Sequence, residues 1–198
     1  LFFTMIASMI LGMGLPSIPA YIITATMAAP ALAEFGIPIL LAHMFVFYFG
    51  IFANVTPPVA LAAFAGAGIS GGNPMTTGFQ ALKLSIAGFL IPFLFIYEPA
   101  LLLVDTEGLM TNAREYPLAG FMDVAIVVAT TLIGLLALSA GLEGFFKTHI
   151  NVIFRAVLIL TALLLIVPET YTDIIGVGVA ILILAMNYVK WKKTEQVA

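Results

Sequence analysis

Polar side chains that could bind a cation interrupt an otherwise apolar sequence. The segment "NVTPP" places Asn54 and Thr56 directly before the adjacent prolines Pro57 and Pro58. Proline removes a backbone donor and clashes with the preceding turn, so a helix must break here. Hard cations such as sodium prefer oxygen ligands, which these side chains and the carbonyls freed by the break would supply. The segment therefore predicts a cation site that needs no charged ligand.

A second interruption lies near the start of the chain. The segment "GMGLPSIPAY" concentrates small, polar and helix-breaking residues: Gly12, Gly14, Pro16, Ser17 and Pro19. The apolar stretch around it is long for one span, and it suits two arms, Leu1–Leu11 and Ile18–Ala33. We therefore predict a re-entrant helical hairpin whose tip lies at mid-membrane depth.

The two interruptions together predict a binding site. In lipid, irregular backbone is tolerated only where it is buried in protein or lines a watery cavity. Two breaks that meet at the bilayer midplane form the arrangement expected of a secondary transporter. The oxygen ligands would come from Gly12, Gly14, Ser17, Asn54 and Thr56, with Ser17, Asn54 and Thr56 as the side-chain candidates for sodium. A single proline kink often only shapes packing, but two breaks so close together favour a site.

The composition is that of a polytopic integral membrane protein. The 198 residues are 63% hydrophobic and 9% charged, whereas soluble domains carry about a quarter charged residues. No Asp, Glu, Lys or Arg lies between Glu34 and Lys83. The net charge of −3 comes without a basic patch, which argues against nucleic acid binding. The absence of cysteine excludes disulfides, thiolate metal sites and Cys nucleophiles.

The predicted fold is all-α. After a turn at 34–38, we expect half-helices Ile39–Phe52 and Val59–Ala67, a loop at 68–74, and a helix from Lys83 to about Val104, kinked at Pro92. Three plainer spans follow, at Phe121–Leu142, Val152–Val167 and Ile174–Val189. The predicted domains are a transport region at 1–104, an extracytoplasmic loop at 105–120 and a three-helix extension at 121–198.

The charges in the loops predict the orientation. Apart from Arg114 in the 105–120 loop, the lysines and arginines fall on one side of the predicted spans, which indicates a cytoplasmic C-terminus. The chain starts without an initiator Met in what reads as the middle of a helix. It is therefore interpreted as the C-terminal piece of a longer protein.

Other ionisable and aromatic residues allow different interpretations. His43 is either a hydrogen-bonded packing residue or a proton relay or substrate contact. Residues expected near the membrane interfaces are Glu98, Asp123, Glu143, Tyr48, Tyr97 and Trp191. Two further functions stay open: an intramembrane enzyme, for which His43 is the only ionisable group deep in a span, and a scaffold that associates through small residues such as Gly134, Gly141 and Gly176.

Four segments carry a resemblance to a known family. "GMGLPSIPAYIITATMAAPAL", "AHMFVFYFG", "NVTPPVALAAFAGAGISGGNPMTTGFQALKL" and "GFLIPFLFIYEPALLL" resemble the large membrane subunit of tripartite ATP-independent periplasmic (TRAP) transporters. More narrowly, they resemble fused permeases that partner a periplasmic binding protein of the TAXI type. The likeness covers about residues 1–104.

The resemblance implies a sodium-driven elevator made of inverted repeats, in which this chain holds the second repeat's hairpin and broken helix. It implies no cofactor beyond sodium as the coupling ion, an organic acid substrate such as a C4-dicarboxylate, and a small membrane subunit fused upstream. It implies a bacterial or archaeal cytoplasmic membrane. The residues to which it assigns ion and substrate binding are Gly12, Gly14, Pro16, Ser17, Asn54, Thr56, Pro57 and Pro58.

Overall fold

The computed structural model describes residues 1–105, 115–165 and 170–195. The chain divides into two compact units, Leu1–Ala119 and Gly120–Ala198. Regular secondary structure in the described residues is helical, apart from two isolated bridges. Three helical stretches are long and apolar enough to cross a membrane: Pro74–Tyr97, Phe121–Glu143 and Tyr171–Lys192. The prediction of an all-α polytopic membrane protein is confirmed.

The first unit begins with a helical hairpin that is followed by a broken helix. Its α-helices are α1 (Phe2–Gly12), α2 (Ser17–Met27), α3 (Ala29–Glu34), α4 (Ile39–Phe52), α5 (Leu61–Ser70), α6 (Pro74–Ser85) and α7 (Ile91–Tyr97). Three 3-10 segments, Ala53–Val55, Ile86–Leu90 and Pro99–Leu102, complete it. We call residues 13–16, between α1 and α2, the tip, and residues 53–60, between α4 and α5, the break.

An aromatic core holds α4 in place. Phe45 and Phe49 are fully buried, with ring centroids 4.9 Å apart. Phe93 of α7 packs edge-on against both, at 5.3 Å and 5.8 Å. Large aromatic rings in edge-to-face contact combine extensive apolar burial with a favourable quadrupole arrangement. The helix that ends at the break is therefore fixed from the side by α7.

The second arm of the hairpin and the helix after the break differ from the prediction. The second arm is divided at Ala28 into α2 and α3, because Pro30 is favoured in the first turn of a new helix. Helix α5 starts at Leu61 and continues to Ser70, where Gly71 adopts a left-handed φ of 70° and ends it. The predicted half-helix Val59–Ala67 was therefore placed two to three residues too early, and the loop is shorter than 68–74.

The predicted helix from Lys83 to Val104 was wrong at both ends, but the predicted interruption at Pro92 is present as an irregular turn just before this residue. Helix α6 already starts at Pro74, since the Asn73 side chain accepts a hydrogen bond from the Thr76 amide at 3.1 Å. The irregular turn is Ile86–Leu90, just before Pro92, whose missing N–H cannot bond the carbonyl four residues earlier. The α-helix ends at Tyr97.

The segment after residue 114 returns to the start of α4. The Leu40 amide donates to the Tyr116 hydroxyl at 3.4 Å, which satisfies one of the free donors of the α4 N-terminus. An isolated antiparallel bridge pairs Val104 with Leu118. The predicted loop at 105–120 falls largely outside the described residues.

The second unit consists of α8 (Phe121–Glu143), α9 (Val152–Leu164) and α10 (Thr170–Glu195). The predicted spans Phe121–Leu142 and Val152–Val167 correspond to α8 and α9, although the predicted end at Val167 lies outside the described residues. Helix α10 extends beyond the predicted span Ile174–Val189 at both ends. A Cβ on Gly141 would lie 2.9 Å from Ile159, and one on Gly176 would lie 2.9 Å from Leu165. Small residues therefore let the helices of this unit approach one another closely.

Candidate functional site

The hairpin packs on both sides of one glycine of α4. A Cβ on Gly12 of α1 would lie 2.8 Å from the Cα and the carbonyl carbon of Gly50, and closer still to the Gly50 carbonyl oxygen. A Cβ on Gly50 would lie 3.2 Å from Thr24 Cγ2 of α2. The contact with backbone atoms requires glycine at position 12, whereas a Cβ at position 50 would need the Thr24 side chain to shift by a few tenths of an ångström. The two arms therefore meet α4 at a single level, a few residues before the break.

The spacing of small residues explains this packing. Ser8 and Gly12 are four residues apart on α1, and Ala20 and Thr24 are four residues apart on α2; all four are buried. Small residues at this spacing form one face of a helix and allow close contact between membrane helices. Sequence reasoning missed the role of Thr24, although this spacing was visible, and the role of Gly50, which the spacing does not include.

Ser8 has an unusual environment. Its hydroxyl is fully buried and has no hydrogen-bond partner within the described part of the chain. A buried, unsatisfied hydroxyl is unfavourable by roughly 1–3 kcal/mol. We expect Ser8→Ala to raise the free energy of unfolding by about 1 kcal/mol, because the methyl group preserves the small face and removes the unsatisfied donor. Thermal unfolding in detergent would measure this change.

The matched control for that prediction is Ser85→Ala. The Ser85 hydroxyl donates to the Ala81 carbonyl at 2.7 Å, so its removal loses a hydrogen bond and should lower stability or leave it unchanged. A lower unfolding midpoint for Ser8→Ala than for the parent would show that the Ser8 hydroxyl does have a partner.

The tip and the break lie next to each other. A Cβ on Gly14, in the tip, would lie 3.9 Å from Val59 Cγ1, in the break. Gly14 has a φ of 74°, a left-handed conformation that glycine adopts without strain. The tip is closed by a hydrogen bond from the Leu15 amide to the Gly12 carbonyl at 3.3 Å. Thus the two predicted interruptions meet.

The break has a defined backbone path. Helix α4 tightens into the 3-10 turn Ala53–Val55, and Thr56 is then extended, with φ −105° and ψ 121°. The Pro57–Pro58 bond is cis, and Ala60 adopts a left-handed φ of 37° before α5 begins. Pro57 packs against α6, where a Cβ on Gly78 would lie 3.4 Å from Pro57 Cγ.

Several backbone oxygens of this region are free to bind a ligand. Within the described residues, eight carbonyls accept no hydrogen bond: Met13, Gly14 and Leu15 in the tip, and Asn54, Val55, Pro57, Pro58 and Val59 in the break. A break in lipid must direct such groups to protein, water or an ion. The two prolines contribute to the unpaired carbonyls directly, because neither has a backbone N–H to donate to them.

The three side-chain candidates differ in burial. Thr56 is 8% exposed, and its hydroxyl donates to the Phe52 carbonyl at 2.9 Å, which leaves the lone pairs of Oγ1 available. The half-buried Asn54 side chain makes no hydrogen bond to the described residues. Ser17 is exposed as the first residue of α2, after the N-cap Pro16. Gly12, in contrast, is buried against Gly50, and its carbonyl accepts from Leu15.

His43 connects the second arm to α4. Its Nδ1 is 3.0 Å from the Tyr21 hydroxyl, and the Tyr21 ring also packs edge-on against Phe47 at 5.3 Å. This is the hydrogen-bonded packing arrangement that the sequence allowed. A direct role of His43 in proton or substrate transfer stays a prediction.

The residues expected near the membrane interfaces occupy two kinds of position. Glu98 directly follows α7, and Asp123 and Glu143 lie in the first and last turns of α8. Tyr48 instead stacks on Phe52, at 4.6 Å, immediately before the break. In the described residues no group of three or more His, Cys, Asp or Glu could hold a metal ion.

Comparison with known protein families identifies the first part of the chain. Residues 1–110, which include the hairpin, the broken helix, α6 and α7, match the family model described as "Tripartite ATP-independent periplasmic transporter, DctM component". No curated protein and no solved structure matches the chain.

Proposed function

Because this chain belongs to the family of the DctM component of tripartite ATP-independent periplasmic transporters, we propose that it binds sodium and an organic acid where the tip meets the break. The family is one of transporter permeases, so the chain is a membrane transport protein. We further propose that import is coupled to sodium and that the substrate is a C4-dicarboxylate or a related carboxylate. The observation that supports this proposal is that the tip and the break lie next to each other and both have carbonyls without a hydrogen-bond partner among the described residues.

The polarity of the helices supports separate positions for cation and anion. Helices α1 and α4 end at the tip and the break, so their C-terminal carbonyls present partial negative charge there. Helices α2 and α5 begin at the same places, so their first amides present partial positive charge. Sodium would bind the carbonyls together with Asn54 and Thr56, and the substrate carboxylate would face the amides. Discontinuous helices of transporters bind their ligands in this way.

The coupling follows from the site being shared between two elements. Sodium bound to both the break and the tip favours the closed arrangement, in which Gly14 lies against Val59. The closed tip covers the substrate, and the loaded bundle then moves across the membrane. Ser17, at the exposed start of α2, would complete the ligand set on closure. No chemical bond is made or broken.

The family also implies partners: a periplasmic binding protein delivers the substrate, and a small membrane subunit accompanies the permease. We propose that the binding protein is of the TAXI type and that the small subunit is fused upstream. We further propose a bacterial or archaeal cytoplasmic membrane with the C-terminus in the cytoplasm, since Lys190, Lys192 and Lys193 lie in the C-terminal part of α10 and the positive-inside rule places them on that side.

The structure bears on the two other candidate functions. His43, the ionisable group that an intramembrane enzyme would need, is hydrogen-bonded to Tyr21. Gly141 and Gly176, which a scaffold would use for association, pack against neighbouring helices within the second unit, and Gly134 lies near Leu165. Transport is therefore the function that these contacts favour.

Uptake by the transporter containing this chain tests the proposal. The protein would be reconstituted in proteoliposomes with its binding protein, and a panel of labelled organic acids would be offered with or without an inward sodium gradient. We expect uptake of at least one carboxylate that requires both the gradient and the binding protein. Uptake that is equal with and without sodium would contradict sodium coupling.

A further inference from the structure

The second unit contains a pocket at the end of the helices where its cations lie. The pocket has a volume of about 240 Å³ and is lined by the 149–154 segment and the last turns of α10. It lies outside the matched residues 1–110, and its role is independent of the proposed ion and substrate site. We propose that this pocket binds the headgroup of an anionic phospholipid of the surrounding bilayer.

The donors of the pocket suit a phosphate group. Lys190, His149 and Asn151 line it, and they supply an ammonium, an imidazole and an amide. The amide of Asn187 forms the floor, where it is held by bonds to the Lys147 and Thr148 amides at 3.1 Å and to the Thr148 carbonyl at 3.1 Å. The floor is therefore fixed before any ligand binds.

The surrounding charges favour an anion. The described side chains at this end of the unit include four cationic residues, Lys147, Arg155, Lys190 and Lys192, and one carboxylate, Glu143. The Arg155 guanidinium is engaged with the carbonyls of Gly141 and Leu142, at 3.0 Å and 2.9 Å. Lys147 and Lys190 add positive charge beside and within the pocket lining. Basic pockets between membrane helices are known to bind anionic headgroups.

Aromatic packing places this end of the unit at a membrane interface. The Lys147 ammonium lies 5.0 Å from the centroid of the Trp191 ring, and Tyr188 packs beside Trp191 at 5.4 Å. Trp and Tyr concentrate at the level of the headgroups, and lysine extends its charge towards them. A headgroup would thus reach the pocket laterally from the bilayer.

An apolar path distinguishes a lipid from a free phosphate. Phe154 and Met186 line the pocket and are 40% and 53% exposed. Ile153 and Leu182 continue exposed apolar surface along the same helices, at 70% and 61%. The pocket is too small for a whole lipid, since pockets that enclose drug-sized ligands measure roughly 300–1,000 Å³. A lipid whose headgroup occupies the pocket and whose acyl chains lie on the exposed apolar side chains is consistent with both the small pocket and the apolar surface beside it.

Lipid retention by the purified full chain tests this proposal. The protein would be equilibrated with mixed micelles of phosphatidylglycerol and phosphatidylcholine with matched acyl chains, and the lipid retained would be counted by native mass spectrometry. We expect phosphatidylglycerol to be preferred, and Lys190→Gln to lower that preference about fivefold, the effect of one lysine near a membrane surface. The control Lys192→Gln removes the same charge at an exposed lysine outside the pocket lining, and it should lower the preference clearly less than Lys190→Gln does.

A second variant and a competitor keep the test decisive. If Lys190→Gln fails to fold, as judged by circular dichroism, His149→Gln should lower the preference in its place. Excess inorganic phosphate should displace little phosphatidylglycerol. Equal retention of the two lipids, equal effects of Lys190→Gln and Lys192→Gln, or full displacement by phosphate would each overturn the proposal.

Discussion

A Gly12→Ala variant is expected to lose about 3 kcal/mol of its free energy of unfolding, near the upper end of the range for overpacked cores. The added methyl group would lie 2.8 Å from the Cα and the carbonyl carbon of Gly50, which are backbone atoms and cannot rotate away. Relief therefore requires α1 to move away from α4. Because α1 leads directly into the tip, this movement would also separate Gly14 from Val59.

Thermal unfolding in detergent, monitored by the monodisperse fraction on size exclusion, measures this loss. Gly66→Ala is the matched control: Gly66 is also helical, and a Cβ there would have no heavy atom within 4 Å. Alanine stabilises a helix interior by about 0.5–1 kcal/mol relative to glycine, so the control should be unchanged or slightly more stable. Equal midpoints for both variants would show that the Gly12–Gly50 contact does not limit packing.

A Thr56→Val variant should raise the sodium concentration for half-maximal uptake by at least about tenfold, the smallest effect typical of disturbing a metal-site residue. Valine keeps the shape of the buried side chain and removes the hydroxyl oxygen. It also removes the bond from Thr56 Oγ1 to the Phe52 carbonyl, which holds the last turn of α4 against the break. Uptake measured at several sodium concentrations gives the shift.

Thr26→Val controls for the loss of a helical hydroxyl. The Thr26 hydroxyl donates to the Ile22 carbonyl at 2.9 Å, the same i−4 bond and distance as at Thr56, but it lies near the far end of α2 from the tip. Its sodium dependence should match the parent. If both valine variants shift alike, or neither shifts, Thr56 is not a sodium ligand.

Local chemistry made the interruptions predictable. Adjacent prolines forbid a continuous helix wherever they occur, and the glycines and proline of 12–16 permit a tight turn in any context. The break and the hairpin therefore followed from single residues and their neighbours. The apolar helices of the second unit were equally predictable, because the length of an apolar run can be read directly from consecutive residues.

The contacts between these elements depend on distant residues. Gly50 gave no sign in its own segment that Gly12 and Thr24 would pack against it, since both partners lie on the hairpin. The start of α6 was missed because Asn73 and Pro74 read equally well as a loop or as a cap and first turn. Ser17 and Asn54 lie on the expected elements, but their roles as ligands stay predictions.

The central claim is that sodium holds the tip closed over the break, and the accessibility of the tip tests it directly. The chain has no cysteine, so Ile18→Cys adds a single thiol beside the tip at a side chain that is 74% exposed. Its rate of modification by a small methanethiosulfonate reagent would be measured in proteoliposomes with sodium and substrate, and with potassium in place of sodium. Ile69→Cys, at a 90% exposed position near the end of α5, is the control. We expect sodium with substrate to slow modification of Ile18→Cys and to leave Ile69→Cys unchanged; equal rates for Ile18→Cys in sodium and in potassium would contradict the claim.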